Sequence, residues 1–396
     1  MTHTSTTPSV ECDVLIVGCG VAGLFCALTL PRELNVQMIC KTTVDECDSM
    51  LAQGGICMLI DDDDYDGYFE DTMRAGHYEN RRESVDIMLR HSRHVIDRLL
   101  GYGVDFERKA DGSLAFTREG AHGRPRICYH ADTTGAEITT RLLAAVRELS
   151  NVRIFEHTPM TDLLIEDGAC RGVIATVEGT EQKLRARATM LACGGVGGLW
   201  ERSTNFPSLT GDGIEACRRH DIELENVDYV QIHPTSLVSN RPGRAFLISE
   251  SCRGEGAVLR NAAGERFTDE LQPRDVVTRA IEAEMERTGE PCVWLDFSNV
   301  GRDVICSHFP AIRARCLEDG YDICEEPIPV APAQHYLMGG IHVDRRSHTT
   351  CPHLWAAGET SCNGVHGKNR LASNSLLESL VFAEIAANDI AKELAS

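Results

Sequence analysis

The chain has 396 residues, an ordinary globular composition and a formal net charge of −21 at pH 7. This charge argues against nucleic acid or an anionic membrane surface as a partner, because both would be repelled at long range. The length favours two domains over one, since single cores seldom grow beyond about 250–300 residues.

Targeting segments and metal motifs are not evident in the sequence. Residues 1–10 are polar and Thr-rich, and no apolar run approaches the roughly 20 residues of a membrane helix, so we expect a cytoplasmic protein without a membrane contact. The 17 cysteines are nowhere closer than seven residues apart. Without a C-x-x-C pair, they are interpreted as buried reduced thiols, and no metal site is predicted.

The first predicted element is a strand at residues 12–17, followed by a glycine-rich turn and an apolar helix at residues 24–30. A second strand is predicted at residues 36–40. The turn reads Gly18-Cys19-Gly20-Val21-Ala22-Gly23. Gly18 permits the sharp turn, Gly20 lets backbone approach a pyrophosphate, and Gly23 allows close packing of helix and strand. The N–H groups around Val21 and Ala22 then face the phosphates at the helix N-terminus, which predicts a dinucleotide site.

The end of the second predicted strand departs from the nicotinamide-binding pattern. An acidic residue is expected there to hold the adenosine ribose, but the chain has Lys41. Asp45 and Glu46 lie nearby and are poor substitutes. The position therefore weakens the case for NAD and leaves the ribose partner open.

Two later segments favour FAD. Ala192, Gly194 and Gly195 follow an apolar strand near the middle of the chain, and Glu359 follows another strand near its end. Small residues after strands so far apart predict a cofactor domain built from discontinuous segments around a long ligand. Glycine-rich turns without a ligand are the alternative for each segment alone.

Several longer motifs then carry a resemblance. They are Ala52-Gln53-Gly54-Gly55-Ile56, His233-Pro234-Thr235, Ser249-Glu250-Ser251-Cys252-Arg253-Gly254-Glu255-Gly256, Pro273-Arg274-Asp275, His335-Tyr336-Leu337-Met338-Gly339-Gly340 and residues 364–378. In this order they resemble the superfamily of succinate dehydrogenase, fumarate reductase and L-aspartate oxidase flavoproteins. The resemblance implies an α/β fold, with a Rossmann-like FAD-binding domain (residues 1–226 and 335–396) interrupted by a smaller α+β capping domain (residues 227–334). Many relatives continue into a C-terminal helical domain, so a chain ending at Ser396 resembles either a naturally short form or one that was cut.

The resemblance also implies roles for individual residues. Catalytic roles fall to Arg274 as proton carrier, with Glu119 and His233. The substrate-binding residues are His233, Thr235, Ser249, Glu250, His335 and Arg370. The cofactor-binding residues, beyond the first glycine-rich turn, are Lys41, Gln53, Gly54, Gly55, Ala192, Gly194, Gly195, Asp212, Glu359, Asn374, Ser375 and Leu376. Arg suits a dicarboxylate because its planar fork matches a carboxylate in a bidentate pose. As a proton carrier Arg274 would need a carboxylate neighbour, for which Glu250 and Glu255 are the candidates.

Two positions discriminate within the superfamily. Asp48 stands where succinate and fumarate enzymes carry a His bonded to FAD, so we expect noncovalent FAD. Glu119 lies in a Thr-Arg-Glu-Gly segment that resembles the aspartate oxidases. A carboxylate there would attract a substrate ammonium and penalise a bare methylene. The alternative is that Glu119 pairs with Arg118 or Arg124 on the surface.

These features predict oxidation of L-aspartate to iminosuccinate, the first step of NAD biosynthesis by the quinolinate route. The residues leave oxygen and fumarate open as electron acceptors. Quinolinate synthase is an expected partner, and the chain is expected to be a monomer or homodimer. A soluble fumarate reductase is the rival function, and a non-catalytic flavin-binding protein is a more distant one. The acidic run at residues 61–64 is interpreted as a solvated loop rather than a docking tail.

Overall fold

The computed structural model describes residues 11–396. The polar, Thr-rich residues 1–10, on which the expectation of no targeting segment rests, lie outside the described residues. The strands are β1 (Glu11–Val17), β2 (Val36–Ile39), β3 (Ile56–Cys57), β4 (Ile127–Cys128), β5 (Val152–Phe155), β6 (Met160–Glu166), β7 (Ala169–Val177), β8 (Thr180–Leu191), β9 (Leu224–Glu225), β10 (Val230–Leu237), β11 (Phe246–Leu247), β12 (Val258–Arg260), β13 (Val293–Asp296), β14 (Ile328–Leu337), β15 (Gly340–His342), β16 (Leu354–Ala356) and β17 (Ser361–Cys362). The helices are α1 (Val21–Thr29), α2 (Tyr65–Ala75), α3 (Arg82–Gly101), α4 (Thr134–Arg147), α5 (Asp212–Arg219), α6 (Glu250–Gly254), α7 (Arg274–Thr288), α8 (Arg302–His308), α9 (Pro310–Glu318) and α10 (Asn374–Leu394).

A seven-stranded sheet forms the larger part of the molecule, in the order β5-β2-β1-β8-β7-β6, with β16 also paired to β8. Strands β1, β2, β5, β8 and β16 are parallel, whereas β6 and β7 form an antiparallel extension. At their carboxyl ends, the Ala192 N–H donates to the Val17 carbonyl at 2.8 Å, and the Ala357 N–H donates to the Leu191 carbonyl at 3.1 Å. Loops far apart in sequence therefore meet at one edge, where ligands bind in open α/β sheets.

Helices cover the larger sheet because their apolar side chains are buried against it. On one face α1, α3, α4 and α10 share a core with β1 and β2, and α10 packs along α1. A second core joins the other face to α5. The order of strand, turn, helix and strand predicted for the start of the chain is confirmed by β1, α1 and β2. Within residues 11–396, no helix is both long and apolar enough to cross a bilayer.

A second sheet of five antiparallel strands, in the order β11-β10-β14-β13-β12, carries its own hydrophobic core between Leu237 and Val330. Helices α7, α8 and α9 pack on it, so this part is an α+β unit. Its last strand, β14, runs from Ile328 to Leu337 and is followed by β15, which pairs with β9 and β17 in a third sheet of three strands. The predicted α/β fold with an inserted α+β unit is confirmed.

The cysteines are free thiols, and most of them are buried among apolar side chains. In the described range 11–396, no group of three or more His, Cys, Asp or Glu side chains is arranged to hold a metal ion.

The acidic run at residues 61–64 differs from its interpretation as a solvated loop. Asp62 is exposed, but Asp64 is buried and lies 2.9 Å from the Arg126 guanidinium. The same guanidinium lies 2.7 Å from the Asp71 carboxylate. Arg126 thus binds α2 to the segment that carries Glu119, a pairing that the sequence pattern did not reveal.

Replacing Arg126 with Met removes the buried cation between Asp64 and Asp71, which keep, among the described residues, only the half-exposed Arg124, at 3.6 Å from Asp64, and Arg74, at 2.7 Å from Asp71. The free energy of unfolding should fall by about 3 kcal/mol, the lower end of the range for a broken buried pair. Urea denaturation measures this loss. Arg141→Met is the control, since Arg141 is half-exposed where it pairs with Glu137 and should lose less than about 1 kcal/mol. Equal losses in the two variants would contradict the buried pairing.

Candidate active site and cofactor cavity

A cavity of about 1690 Å³, including its open mouth, lies at the carboxyl edge of the larger sheet. Of the predicted cofactor residues, those lining it are Gly18, Gly20, Val21, Ala22, Lys41, Gln53, Gly54, Gly55, Ala192, Gly194, Asp212, Glu359, Ser375 and Leu376. Of the predicted substrate and catalytic residues, those lining it are Glu119, His233, Ser249, Glu250, Arg274, His335 and Arg370. The structure therefore brings both sets into one continuous space.

Two predicted cofactor glycines face neighbouring protein instead of the cavity. A Cβ on Gly23 would lie 2.1 Å from the Gly18 carbonyl oxygen, so Gly23 serves the close packing of α1 on β1. A Cβ on Gly195 would lie 2.1 Å from a carboxylate oxygen of Glu359. Gly195 thus makes room for Glu359 and does not itself line the cavity.

Two other predicted residues have side chains that are turned away. The Asn374 amide oxygen accepts from the Tyr68 hydroxyl at 2.7 Å, so the side chain is held inside the protein and only neighbouring residues of the first turn of α10 reach the cavity. The Thr235 hydroxyl donates to the Ile248 carbonyl at 2.9 Å and is fully buried. Both departures arise from local hydrogen bonds that a motif does not encode.

The first glycine-rich turn fits a dinucleotide pyrophosphate. Gly18 has φ +114°, and a Cβ there would lie 2.0 Å from the Ala192 carbonyl oxygen, so only glycine allows the loops after β1 and β8 to meet. Helix α1 follows, and its N-cap residue Gly20 provides no side-chain cap. The N–H groups of this helix end are suited to phosphate oxygens.

The end of β2 carries Lys41 where the nicotinamide-binding pattern has an acidic residue, and the structure shows what Lys41 binds. Its ammonium lies 2.9 Å from the Asp212 carboxylate and 2.7 Å from the Thr210 hydroxyl. Both Lys41 and Asp212 line the cavity. The end of β2 therefore presents an ion pair, instead of an isolated acid, to whatever binds there.

Two half-buried carboxyl groups lie along the cavity wall. One Asp48 oxygen accepts from the Phe206 N–H at 3.0 Å, while the other is buried without a partner among the described residues. Burial raises the pKa of Asp48 to about 7. Glu359 accepts from the Leu337 N–H at 2.9 Å, and burial together with Asp48 raises its pKa to about 8. Such acceptors fit a ligand rich in hydroxyl donors, as the ribityl chain of FAD is.

Arg274 begins α7 and is held from two sides. Its Nε lies 2.6 Å from the Glu250 carboxylate, and its Nη1 donates to the Gln231 amide oxygen at 2.8 Å. Burial raises the pKa of Glu250, but Arg274 and Arg253 outweigh burial, so the net pKa is lowered. Glu255, the other candidate neighbour, instead lies 3.4 Å from His308. Glu250 is therefore the carboxylate that serves Arg274.

Gln231 joins the two arginines and was missed by the sequence interpretation. Its amide oxygen also accepts from Arg370 Nε at 3.4 Å, while its amide nitrogen donates to the Asn369 side chain at 2.8 Å. The available signal was its position on β10 two residues before His233, since residues i and i+2 of a strand share a face. A buried amide beside a predicted substrate His was therefore a candidate for the site.

His335 orients Arg370. Its Nε2 lies 3.0 Å from an Arg370 Nη, and because a guanidinium only donates, this ring nitrogen is the acceptor. The protonated Nδ1 then donates to the Thr204 hydroxyl at 2.8 Å. Burial, Arg370 and Arg274 hold the pKa of His335 well below its usual range, so the ring is neutral.

His233 turns its Nε2 toward the cavity. Its Nδ1 is held by the backbone of Thr235, at 3.1 Å from the carbonyl oxygen and 3.2 Å from the nitrogen. The Nε2 is buried without a partner among the described residues. Burial, Arg274 and His335 hold the pKa of His233 well below its usual range, so the imidazole is neutral.

Glu119 is 2% exposed, which excludes the alternative of a surface pair with Arg118 or Arg124. Its carboxylate accepts from the hydroxyls of Ser251, at 2.9 Å, and Ser373, at 2.5 Å. Burial raises the pKa of Glu119, and the neighbouring Glu250 adds to the rise. A carboxylate without a direct guanidinium bond thus lines a site that is otherwise rich in cations.

The fold and the cavity define an FAD-binding flavoprotein. A family model described as an FAD binding domain matches residues 13–376. An Escherichia coli quinol fumarate reductase variant superposes with a TM-score of 0.91 at 32% identity, covering 98% of this chain and 71% of that chain.

Curated relatives narrow the class. L-aspartate oxidase from Clostridium perfringens is 47% identical over 379 residues, which are 96% of this chain and 86% of that protein. The Clostridium acetobutylicum L-aspartate oxidase is 46% identical over 96% of this chain and 88% of its own length. The chain belongs to the L-aspartate oxidase family of FAD-dependent oxidoreductases.

Replacing Gly18 with Ala is expected to lower the amount of FAD that copurifies, because the added Cβ would collide with the Ala192 carbonyl and displace the phosphate-binding turn. The ratio of flavin to protein absorbance measures the loss. Gly101→Ala is the control, since nothing lies within 4 Å of a Cβ there. Full FAD occupancy in the Gly18 variant would contradict the assignment of this turn.

Proposed function

We propose that this protein oxidises L-aspartate to iminosuccinate at the inner end of the cavity. The observation that carries the proposal is the Glu119 carboxylate, buried among cationic and neutral donors and bonded only by hydroxyls. A dicarboxylate alone would be repelled by this group, whereas an α-amino dicarboxylate brings the matching ammonium.

The carboxylates of the substrate are bound by the donors on the opposite wall. Arg370 offers a guanidinium whose pKa is lowered by burial and by Arg274 to about 10, so it remains charged at neutral pH. His233 adds its Nε2, and Ser249 lines the same region. Cations at both ends of a four-carbon acid fix its reacting carbon, and alignment of this kind lowers the barrier without further chemistry from the protein.

Glu119 binds the ammonium and takes a proton from it, so that the amine lone pair is available when the Cα–H bond breaks. FAD, when bound, accepts the electrons from Cα as a hydride. Because the pKa of Glu119 is raised, aspartate oxidation is expected to fall on its acidic side as this carboxylate becomes protonated. Arg370 and His233 keep the carboxylates in place throughout.

When fumarate is the electron acceptor, one alkene carbon would receive a hydride from reduced FAD, and Arg274 donates a proton to the other. An isolated guanidinium is a poor acid and base because its pKa exceeds about 12. The Glu250 carboxylate, 2.6 Å from Nε, stabilises the guanidinium cation, and after the transfer it would relay a proton taken up from solvent back to Arg274. Gln231 fixes the direction of Arg274.

The electron acceptor is oxygen or fumarate. Fumarate is itself a four-carbon dicarboxylate and would bind the same arginines when Glu119 is protonated, which the raised pKa of this group favours. One site can then serve both acids. Within this proposal FAD is noncovalent, the product passes to quinolinate synthase in NAD biosynthesis, and the chain acts as a monomer or homodimer. Residues 227–334 form the cap over the cavity, and the two flanking segments form the FAD-binding domain.

Anaerobic mixing of the FAD-loaded protein with L-aspartate is expected to bleach the visible flavin band, whereas succinate leaves it unchanged. Glu119→Gln should lower kcat/KM for aspartate by about 100-fold, because the amide cannot balance a buried ammonium. Fumarate reduction by the same variant should change much less, since fumarate carries no amine.

Both activities are measured on one preparation with matched FAD content. Bleaching by succinate but not by aspartate would favour the rival fumarate reductase. Absence of turnover with any four-carbon acid would favour a binding protein, and equal losses of both activities in Glu119→Gln would contradict its role in selecting the amine.

Noncovalent FAD predicts that acid denaturation releases the flavin into the supernatant, because the Asp48 carboxyl offers no imidazole for a histidyl bond. Absorbance of the separated protein and supernatant measures the partition. Yellow colour that stays with the washed precipitate would overturn this part of the proposal.

A further inference from the structure

The Glu119 carboxylate depends on a residue that the proposed mechanism does not use. Ser251 is 1% exposed and lies in α6, beside the predicted site residues Ser249 and Glu250. Its hydroxyl donates to one oxygen of Glu119 at 2.9 Å. The Ser249 hydroxyl in turn donates to the Ser251 oxygen at 3.2 Å. A chain of hydroxyls thus leads from a cavity-lining serine to the carboxylate.

Both carboxylate oxygens of Glu119 are occupied by hydroxyl donors. Ser251 serves Oε1, and Ser373 serves Oε2 from the residue that precedes α10. Hydrogen bonds to the charged form favour that form, and a chain of donors polarises each bond along it. Ser251 and Ser373 therefore both lower the pKa of Glu119 against the larger rise from burial.

The other charged groups around Glu119 shift its pKa in opposite directions. Glu250 repels it, whereas Arg274 attracts it from α7. The charge of Glu119 also acts to raise the pKa of Arg253, in α6, and of Arg370, in the segment before α10. No cation bonds it directly within the described residues, so the hydroxyls supply the local stabilisation of the anion.

The carboxylate also has little room to move. A Cβ on Gly54 would lie 2.2 Å from Glu119 Oε1, so the carboxylate fills the space beside this glycine. Loss of the Ser251 bond would free one of its two oxygens while the surrounding protein still limits its rotation. Protonation is then the remaining way to relieve the buried charge.

We propose that Ser251 is a specificity-determining positioning residue, which keeps Glu119 ionised and directed toward the substrate amine. The inference rests on the proposed oxidation of aspartate. By this inference, Glu119 and Ser251 together, instead of Glu119 alone, determine whether the site prefers an amino dicarboxylate or a dicarboxylate without an amine.

The test compares wild-type protein with Ser251→Ala, both loaded with FAD. The variant should raise KM for aspartate by about tenfold or more, as expected for a lost hydrogen bond to a charged group, with a smaller change in kcat. The acidic limb of kcat/KM for aspartate should move to higher pH. Fumarate reduction should stay near the wild-type rate.

A second measurement does not require turnover of aspartate. Succinate binding, followed through the flavin absorbance, should tighten as pH falls and Glu119 becomes neutral, since the protonated group no longer repels a bare methylene. The midpoint of this tightening should lie at higher pH in Ser251→Ala. If aspartate fails to reduce the wild-type flavin, the proposed function falls, while the succinate midpoint still tests Ser251.

Three further variants complete the test. Ser251→Thr retains the hydroxyl and should restore both midpoints toward wild type, whereas Ser251→Cys keeps the side-chain size but donates weakly and should resemble Ser251→Ala. Ser236→Ala removes another buried hydroxyl, bonded to the Ala331 carbonyl at 2.8 Å, and should change neither midpoint. Wild-type midpoints and aspartate preference in both Ser251→Ala and Ser251→Cys would overturn the inference, as would an equal shift in Ser236→Ala.

Discussion

The active end of the cavity depends on how two buried carboxylates are balanced. Removing a charge from water is costly unless a partner is supplied. Glu250 receives that partner directly, because Arg274 lies 2.6 Å away and Arg253 lies 3.7 Å away. Among residues 11–396, the Glu119 carboxylate is bonded only by hydroxyls. In the same range Arg370 has no ion pair with a carboxylate and His233 Nε2 has no partner, so both remain available to a ligand although the protein as a whole carries a net charge of −21.

The two sheets make this balance possible because each supplies different groups. Strands β10 and β14 of the smaller sheet carry Gln231, His233 and His335, and α7 adds Arg274. Arg370 comes from the segment before α10, which packs on the larger sheet. Gln231 bonds both arginines across this junction. The residues predicted to bind substrate and cofactor therefore line one cavity between the two sheets.

The fold was largely predictable because strand, glycine-rich turn and helix follow one another locally at residues 11–40, and most motif residues do share one cavity. The features that the sequence did not predict are hydrogen bonds and ion pairs, because their partners are set by the folded chain. Gln231 reaches Arg274 across 43 residues, and Ser251 reaches Glu119 across 132. The acidic run around Asp64 predicts a solvated loop, but Asp64 is buried because it pairs with Arg126. The Asn374 side chain turned inward because Tyr68 lies within hydrogen-bond distance, which no spacing in the sequence encodes.

The predicted cofactor end of the cavity also contains carboxyl groups removed from water. There the cost of a charge is lowered by raised pKa values instead of by a bonded cation. Asp48 and Glu359 are half-buried carboxyls with no ion pair among the described residues, and the partial loss of water raises their pKa values to about 7 and 8. Each keeps at most one backbone N–H, and the second Asp48 oxygen lacks a partner among the described residues. A ligand with several hydroxyl donors would satisfy these acceptors, whereas an anionic group would meet repulsion. These carboxyl groups would therefore suit the ribityl part of FAD, and the N-terminus of α1 would suit the pyrophosphate.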